Sequence, residues 1–439
     1  MTEFDIRSLS VTTAKTGELK PFATNPREHP KSQIEKMTTS ILRFGFVNPI
    51  LAAPDLTIIA GHARLLAAQA LGHSEVPIII LPHLSEAEQR ALRIADNKLS
   101  SLGDWSLDNL AIEAEFVLDA GIAPIELGFE IGELDFAIES ARKKDKREKD
   151  VIEPDRADPA VSRLNDVWTI GAHRVACCDA RNPESYHLVM GSDRADLVLT
   201  DMPYGVPING HVSGLGKIRH REFPMASGEM GEDDFFEFIR TSFQNLADFS
   251  KPGALAYAFI DWRSLALMVV AGKDIFDALL NICVWVKPSG AMGSLYRSRH
   301  EMICVFRTKG GKHLNNVQLG KFGRNRTNVW EYAAANGFGS ERKNLALHPT
   351  CKNVKMLADA ILDSTRRGAL VLDSYLGSGS TILAAHRVGR VGRGIELDPW
   401  YVDLAVERIA GETGETAVLG DGRSFSEVAA ARANGEAGQ

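Results

Sequence analysis

The sequence predicts an α/β protein, in which a doubly wound, mostly parallel sheet domain follows a smaller α+β domain. Three observations predict it. Beyond residue 166, seven apolar runs of strand length recur, most of them separated by helical patterns, as a sheet covered by helices on both faces requires. One of these runs leads into a glycine-rich turn and then a helix, the arrangement that brings backbone close to a nucleotide. Between the two regions, residues 141–165 carry mixed charge and prolines with too little apolar surface to fold, so they read as a linker. A chain of 439 residues also exceeds what one hydrophobic core usually supports.

Taken in order, residues 1–83 form the α+β domain. Ile50-Leu51, Ile58-Ile59 and the run 76–81 read as strands, and Ile34, Met37, Ile41 and Leu42 recur at helical spacing. Residues 84–140 read as a helical extension, opened by Ser85 and Glu88 at capping-box spacing and followed by Ala91, Leu92, Ile94 and Ala95. After the linker, the second domain occupies 166–412, with strands expected at 173–178, 195–200, 254–260, 281–286, 302–306, 369–372 and 391–397. The small, polar, glycine-rich residues 413–439 read as a flexible tail.

Hydrophobic residues at 44% and charged residues at 24% exclude a disordered or fibrous chain. The N-terminus lacks a basic start followed by an apolar run, and no segment has membrane-spanning length, so a cytoplasmic protein with no membrane partner is expected. Five cysteines without CxxC spacing indicate neither a disulfide framework nor a zinc site; buried thiols and no metal are expected. The net charge of −7 conceals a basic stretch. Residues 287–343 hold eleven Lys or Arg against three Glu, interleaved with Tyr296, Phe306, Phe322, Trp330 and Tyr332, as a surface that follows phosphates and stacks bases would need. Arg297, Arg299, Lys321, Arg324 and Arg326 are the DNA-binding candidates there, with Lys217 and Arg219 further upstream.

The strongest chemical signal lies at 368–409. A strand reaches Asp373, a turn carries Gly377, Ser378 and Gly379, a helix opens with Ser380 and Thr381, and a second strand ends at Glu396, nineteen residues after Gly377. That distance suits an acidic acceptor for ribose hydroxyls. Asp373 would repel a diphosphate and suits a cationic sulfonium better. The segment resembles the S-adenosylmethionine motif of DNA amino-methyltransferases, roughly D-x-F-x-G-S-G-T-T, with Tyr375 for the Phe and Ser380 for the first Thr. The resemblance implies that Asp373, Tyr375, Gly377 and Gly379, with Ser380 and Thr381, cradle the methionine half of S-adenosyl-L-methionine while Glu396 holds the ribose. Residues 348–362 are similar to the His-Pro-Thr-Gln-Lys-Pro segment of the same family, departing at Cys351 and Asn353, which implies His348 and Thr350 as cofactor neighbours.

A second signal is an apolar strand ending in Asp201-Met202-Pro203-Tyr204. An exocyclic amine is a poor nucleophile because its lone pair is delocalised, and two acceptors for its protons favour a pyramidal nitrogen. This segment resembles the Asp-Pro-Pro-Tyr motif of N6-adenine and N4-cytosine methyltransferases, with Met202 in place of the first proline. The resemblance implies Asp201 and the carbonyl of Met202 as the acceptors, Pro203 as a stiffener and Tyr204 as the stacking face for a flipped base. Catalytic motif before cofactor motif is the order of the β group, a circular arrangement of the Rossmann-like methyltransferase fold. Asp179 looks like the family's Gly-Asp segment, with Cys178 for the Gly, and is implied to contact the cofactor's adenine. His300 and Glu301 keep a typical family pair, for which structural support is expected. No Pro-Cys dipeptide occurs, which sets cytosine C5 methylation aside.

The N-terminal domain resembles the ParB-like domain of partition proteins. Gly61, His62 and Arg64 at a helix start form its candidate anion site. The resemblances imply an enzyme acting on double-stranded DNA, and a homodimer is compatible with them. Adenine N6 is expected because the Asp-led motif is linked with adenine; cytosine N4, an RNA or protein substrate, and an inactive DNA-binding scaffold with Met202 as its mark remain open.

Overall fold

The computed structural model describes residues 9–100, 102–103, 105–130, 133–135, 137–138, 159–204, 230–287, 296–317, 319, 326–332 and 352–436. The chain divides into two units, Met1–Lys146 and Arg147–Gln439.

In the first unit, β1 (Val11–Lys15), β2 (Ile50–Ala52), β3 (Ile58–Ala60) and β4 (Glu75–Ile80) form a four-stranded sheet in the order β1-β4-β2-β3. Strand β2 runs parallel to β4, and the other pairings are antiparallel. Ile50, Ile58, Val76 and Ile78 are buried with Leu65 of helix α2 (His62–Ala70). Helix α1 (Lys31–Phe44) covers the expected periodic stretch. The capping box forms as spaced: the Ser85 N–H donates to the Glu88 carboxylate at 2.8 Å and the Glu88 N–H donates to Ser85 Oγ at 3.4 Å, opening α3 (Glu86–Ser100). Helix α4 (Leu107–Asp119) follows.

The second unit is built on a ten-stranded sheet. Its centre is parallel, in the order β8 (Ser250–Ile260), β7 (Ala195–Thr200), β12 (Leu370–Asp373), β13 (Val391–Glu396), β6 (His173–Cys177). Beyond β8 lie antiparallel β10 (His300–Arg307) and β9 (Ala278–Val286), then β11 (Val329–Glu331), parallel to β9. Beyond β6 lie β5 (Val167–Ile170) and β14 (Ala417–Leu419), both in antiparallel pairing. Helices α5 (Pro183–Met190), α6 (Glu232–Asp248) and α7 (Leu265–Ile275) contribute to one core, with Tyr186, Phe243 and Met268. Helices α8 (Val354–Ser364), α9 (Ser380–Arg387) and α10 (Pro399–Thr413) contribute to the other, with Ile361, Ile382 and Val402. The sheet is thus doubly wound. Asn182, Asn353 and Asp398 cap α5, α8 and α10 through their side chains. Asn353, a departure from the family pattern, therefore starts a helix.

Three expectations need correction. The flexible tail is ordered to residue 436: β14 pairs with β5, and helix α11 (Phe425–Glu436) buries Val428 and sets Phe425 against Trp168 at 5.0 Å between ring centroids. The linker ends earlier than residue 165, because the N–H groups of Val161 and Ser162 donate to the Asp403 carboxylate at 2.6 and 2.8 Å. The basic stretch is not one continuous face, since Phe306 and Trp330 are buried in the core. Cys177, Cys178, Cys283 and Cys304 are free and buried, and burial pushes their thiols up, Cys283 to about 11 and Cys304 to about 12. No helix of the described residues is long and apolar enough to cross a membrane, and no cluster among them could hold a metal ion.

Candidate active site

Parallel pairing brings four strand ends to one edge of the sheet. Thr200 of β7 and Ser374, just after β12, approach to 3.4 Å through their hydroxyls, so the turns that follow these strands are neighbours. Glu396 ends β13 beside Cys177 of β6, and Asp179 lies two residues beyond. This is the edge at which open α/β sheets bind ligands.

The glycine-rich turn is held from within. The buried Asp373 carboxylate accepts from Thr381 Oγ1 at 2.6 Å and from the Tyr375 N–H at 3.1 Å. Glu396 accepts from the N–H groups of Gly377 at 2.8 Å and Asp398 at 2.9 Å. Gly379 caps α9 in the left-handed region at φ +88°, and a Cβ there would lie 3.1 Å from the Ala405 Cβ, so glycine is needed for both conformation and space. The Arg408 guanidinium donates to the Ser378 carbonyl at 2.5 Å and its hydroxyl at 2.7 Å. Tyr375 shares a 2.6 Å hydrogen bond with Ser242. Burial pushes Asp373 up to about 7 and raises Glu396. Acidic groups gathered beside a glycine turn suit a cationic nucleoside, so Asp373, Glu396 and the turn fit S-adenosyl-L-methionine. Asp179 is engaged by Arg181 at 2.7 Å, which holds it below its ordinary value against burial.

After β7 the chain turns at once through Asp201-Met202-Pro203-Tyr204. The Met202 side chain is 1% exposed and packs into the core beside α6 and α7, which keeps its backbone at the turn. Ser264 donates to the Tyr204 carbonyl at 3.0 Å. The Tyr204 hydroxyl lies 2.8 Å from both Asp201 Oδ1 and Glu301 Oε2. Lys352 completes the cluster, 2.7 Å from Asp201 Oδ2, 2.9 Å from Glu301 Oε2 and 3.0 Å from the Tyr204 hydroxyl. Glu301 also pairs with Lys287. Burial and the Glu301 charge push Asp201 above its ordinary value while Lys352 pulls against them. Against burial, Lys352 and Lys287 hold Glu301 down to about 2. Lys352 stands at the lysine of the His-Pro-Thr-Gln-Lys-Pro pattern, which is its one signal in the sequence.

Other candidates fall elsewhere. Arg326 pairs with Asp363 at 2.6 Å and stacks over Trp330, so it is spent on the fold. Arg297 and Arg299 are exposed, Arg299 donating to the Lys287 carbonyl at 2.9 Å, and Tyr296 is 84% exposed. Lys217, Arg219, Lys321, Arg324, His348 and Thr350 lie outside the described residues. In the first unit, Gly61 caps α2 in the left-handed region at φ +105°. His62 accepts from the Phe22 N–H through Nε2 at 3.2 Å, and burial lowers it to about 4, so it is neutral. Arg64 donates to the Pro49 carbonyl at 2.9 Å. Two of the expected anion contacts are therefore committed to backbone.

A nucleoside cradle beside a carboxylate-proline-tyrosine turn, on a doubly wound sheet, defines a methyltransferase domain. Residues 195–407 match the family described as DNA methylase, and residues 2–98 match the ParB N-terminal domain. The chain is 25% identical over 232 residues to the type II methyltransferase M.HpaI of Haemophilus parainfluenzae, covering 49% of this chain and 68% of that one. It is 40% identical over 73 residues to the ParB-like nuclease domain-containing protein YnaK of Escherichia coli (strain K12), covering 17% of this chain and 84% of that one. The solved PvuII DNA methyltransferase (cytosine-N4-specific) is 17% identical, with 56% of this chain and 93% of that chain covered and a TM-score of 0.41. The chain is a ParB-type N-terminal domain fused to a DNA methyltransferase domain of the N6/N4 amino family, whose methyl donor is S-adenosyl-L-methionine.

Proposed function

We propose that this protein methylates the N6 amine of adenine in double-stranded DNA. The observation that carries the reading is the Asp201 carboxylate, presented at the sheet edge directly beside the Asp373 turn, at the head of an Asp-led motif. Asp373, Tyr375, Gly377, Gly379 and Glu396 hold the cofactor, with Ser380 and Thr381 at the start of α9. When bound, the cofactor supplies a methyl group on a sulfonium sulfur. Asp201 Oδ1 and the Met202 carbonyl accept the two amine protons and favour the pyramidal nitrogen. As the carbon–sulfur bond breaks and the nitrogen–carbon bond forms, one amine proton leaves through Asp201 to solvent. The Tyr204 ring supports the base flipped from the duplex. Arg297, Arg299 and Tyr296 lie on the exposed strand-end segment that leads into β10, where phosphate contact is open to them.

Tritium transfer from labelled cofactor to duplex DNA, followed by nucleoside analysis, tests the reading. N6-methyladenine is the expected product. N4-methylcytosine would replace the base assignment, and 5-methylcytosine would overturn the mechanism.

A further inference from the structure

The polar cluster behind Asp201 contains more than the proposed chemistry uses. Lys352 has three N–H donors, and each meets an acceptor: Asp201 Oδ2, Glu301 Oε2 and the Tyr204 hydroxyl oxygen. Having accepted from Lys352, the Tyr204 hydroxyl has one proton to give and two carboxylate oxygens at 2.8 Å to receive it. If the proton sits on Asp201 Oδ1, the target amine must share that oxygen with the Tyr204 hydroxyl. If it sits on Glu301, Oδ1 is released while Lys352 still grips Oδ2. The exposures agree with this division of labour. The Asp201 side chain is 22% exposed, against 12% for Glu301 and 6% for Lys352, so Asp201 is the member of the three that an entering base can reach. The rings of Tyr204, Phe259 and Trp285 surround the Lys352 ammonium at 5.2–5.7 Å, which keeps it in place and its charge poorly screened.

We propose that Lys352 and Glu301 are positioning residues for methyl transfer: Lys352 holds Asp201 ionised through one oxygen, and Glu301 takes over the Tyr204 hydroxyl when the target amine claims the other. The inference rests on the methyltransferase reading. Among the described residues, the charged and titratable groups facing Asp201 are Lys352 just before α8, Glu301 on β10, Tyr204 in its own turn and Asp373 at the end of β12, with Lys287 behind Glu301. A lysine that merely filled a core would leave the Asp201 titration unspecified. The clamp predicts displacements of opposite sign.

The test uses the full chain with 13C-labelled aspartate carboxyls, the Asp201 resonance being identified by its loss in Asp201→Asn. In Lys352→Met the Asp201 midpoint should rise, and in Glu301→Gln it should fall, each by about 1 in pH or more. The acid limb of kcat for tritium transfer should move the same way in each variant, with kcat reduced about 100-fold or more in Lys352→Met and the KM for S-adenosylmethionine unchanged. Glu301→Gln keeps an acceptor for Tyr204 and should retain more activity than Glu301→Leu. A midpoint that stays put, or moves against its predicted sign, in either variant overturns the proposal, so one folded variant suffices should the other fail to fold. Wild-type protein that binds cofactor and labels no DNA overturns the functional reading, and the carboxyl titration then still decides the clamp.

Discussion

In the proposed mechanism Asp201 acts on the target amine and Glu396 on the cofactor, and substitutions should separate the two tasks. Asp201→Ala is expected to abolish tritium transfer while calorimetry still detects cofactor, because the cradle is built from Asp373, the glycine turn and Glu396. Glu396→Ala should instead weaken cofactor binding, both by losing a ribose acceptor and by releasing the Gly377 N–H it now holds. Asp373 adds a pH dependence. Burial raises its carboxyl to about 7, so the protonated form favours the folded, unliganded protein, and that contribution is lost as pH rises through about 7. A cationic ligand prefers the ionised carboxylate. Affinity for S-adenosylmethionine is therefore expected to fall as pH drops below about 7, and Asp373→Asn should bind weakly with a flat profile; a wild-type profile independent of pH would contradict this role.

At the level of elements, what could be read from the sequence depended on whether burial left a period in it. The central strands show continuous apolar runs because helices cover both faces, and all seven expected strands are present. The glycine turn was legible because its conformation demands specific residues. Strand β1 was not, since VTTAK is almost wholly exposed and carries no apolar alternation, and β11 and β14 are three residues each, too short for any period to show. The basic stretch misled because sequence does not say which cations have partners: Arg326 meets Asp363 only once α8 packs in place. Lys352 escaped notice because the acceptors that give it meaning are 51 and 148 residues away in the chain. The C-terminal correction has a measurable consequence. Ending the chain at residue 414 removes β14, Val428, the Phe425–Trp168 pair and the 2.5 Å Arg432–Asp166 bridge, and should cost about 3 kcal/mol, visible as a lower midpoint in denaturant. An unchanged midpoint would mean these contacts contribute nothing.

Across the whole molecule, two sheets with separate cores are joined in one chain of net charge −7, so attraction for DNA has to come from local surfaces rather than from the protein as a whole. Residues 1–146 are expected to unfold cooperatively as an isolated fragment, and their removal should change DNA affinity or site choice while leaving cofactor affinity intact. Gel-shift titration and methylation mapping of the shortened enzyme would detect this, and an identical methylation pattern would make the first unit a spectator. Within the second unit, the first and last described segments end up side by side: Arg432 of α11 donates to the Val161 carbonyl and bridges to Asp166, and β14 lies along β5. The start and finish of this unit could be joined by a short peptide. The chain could then be opened between β11 and α8, giving a permuted protein that reads the glycine turn first and the Asp201 turn last. Because every strand would keep its neighbours, the permuted form should bind S-adenosylmethionine as the parent does, which would show that the order of the two turns along the chain is a matter of ancestry and not of chemistry.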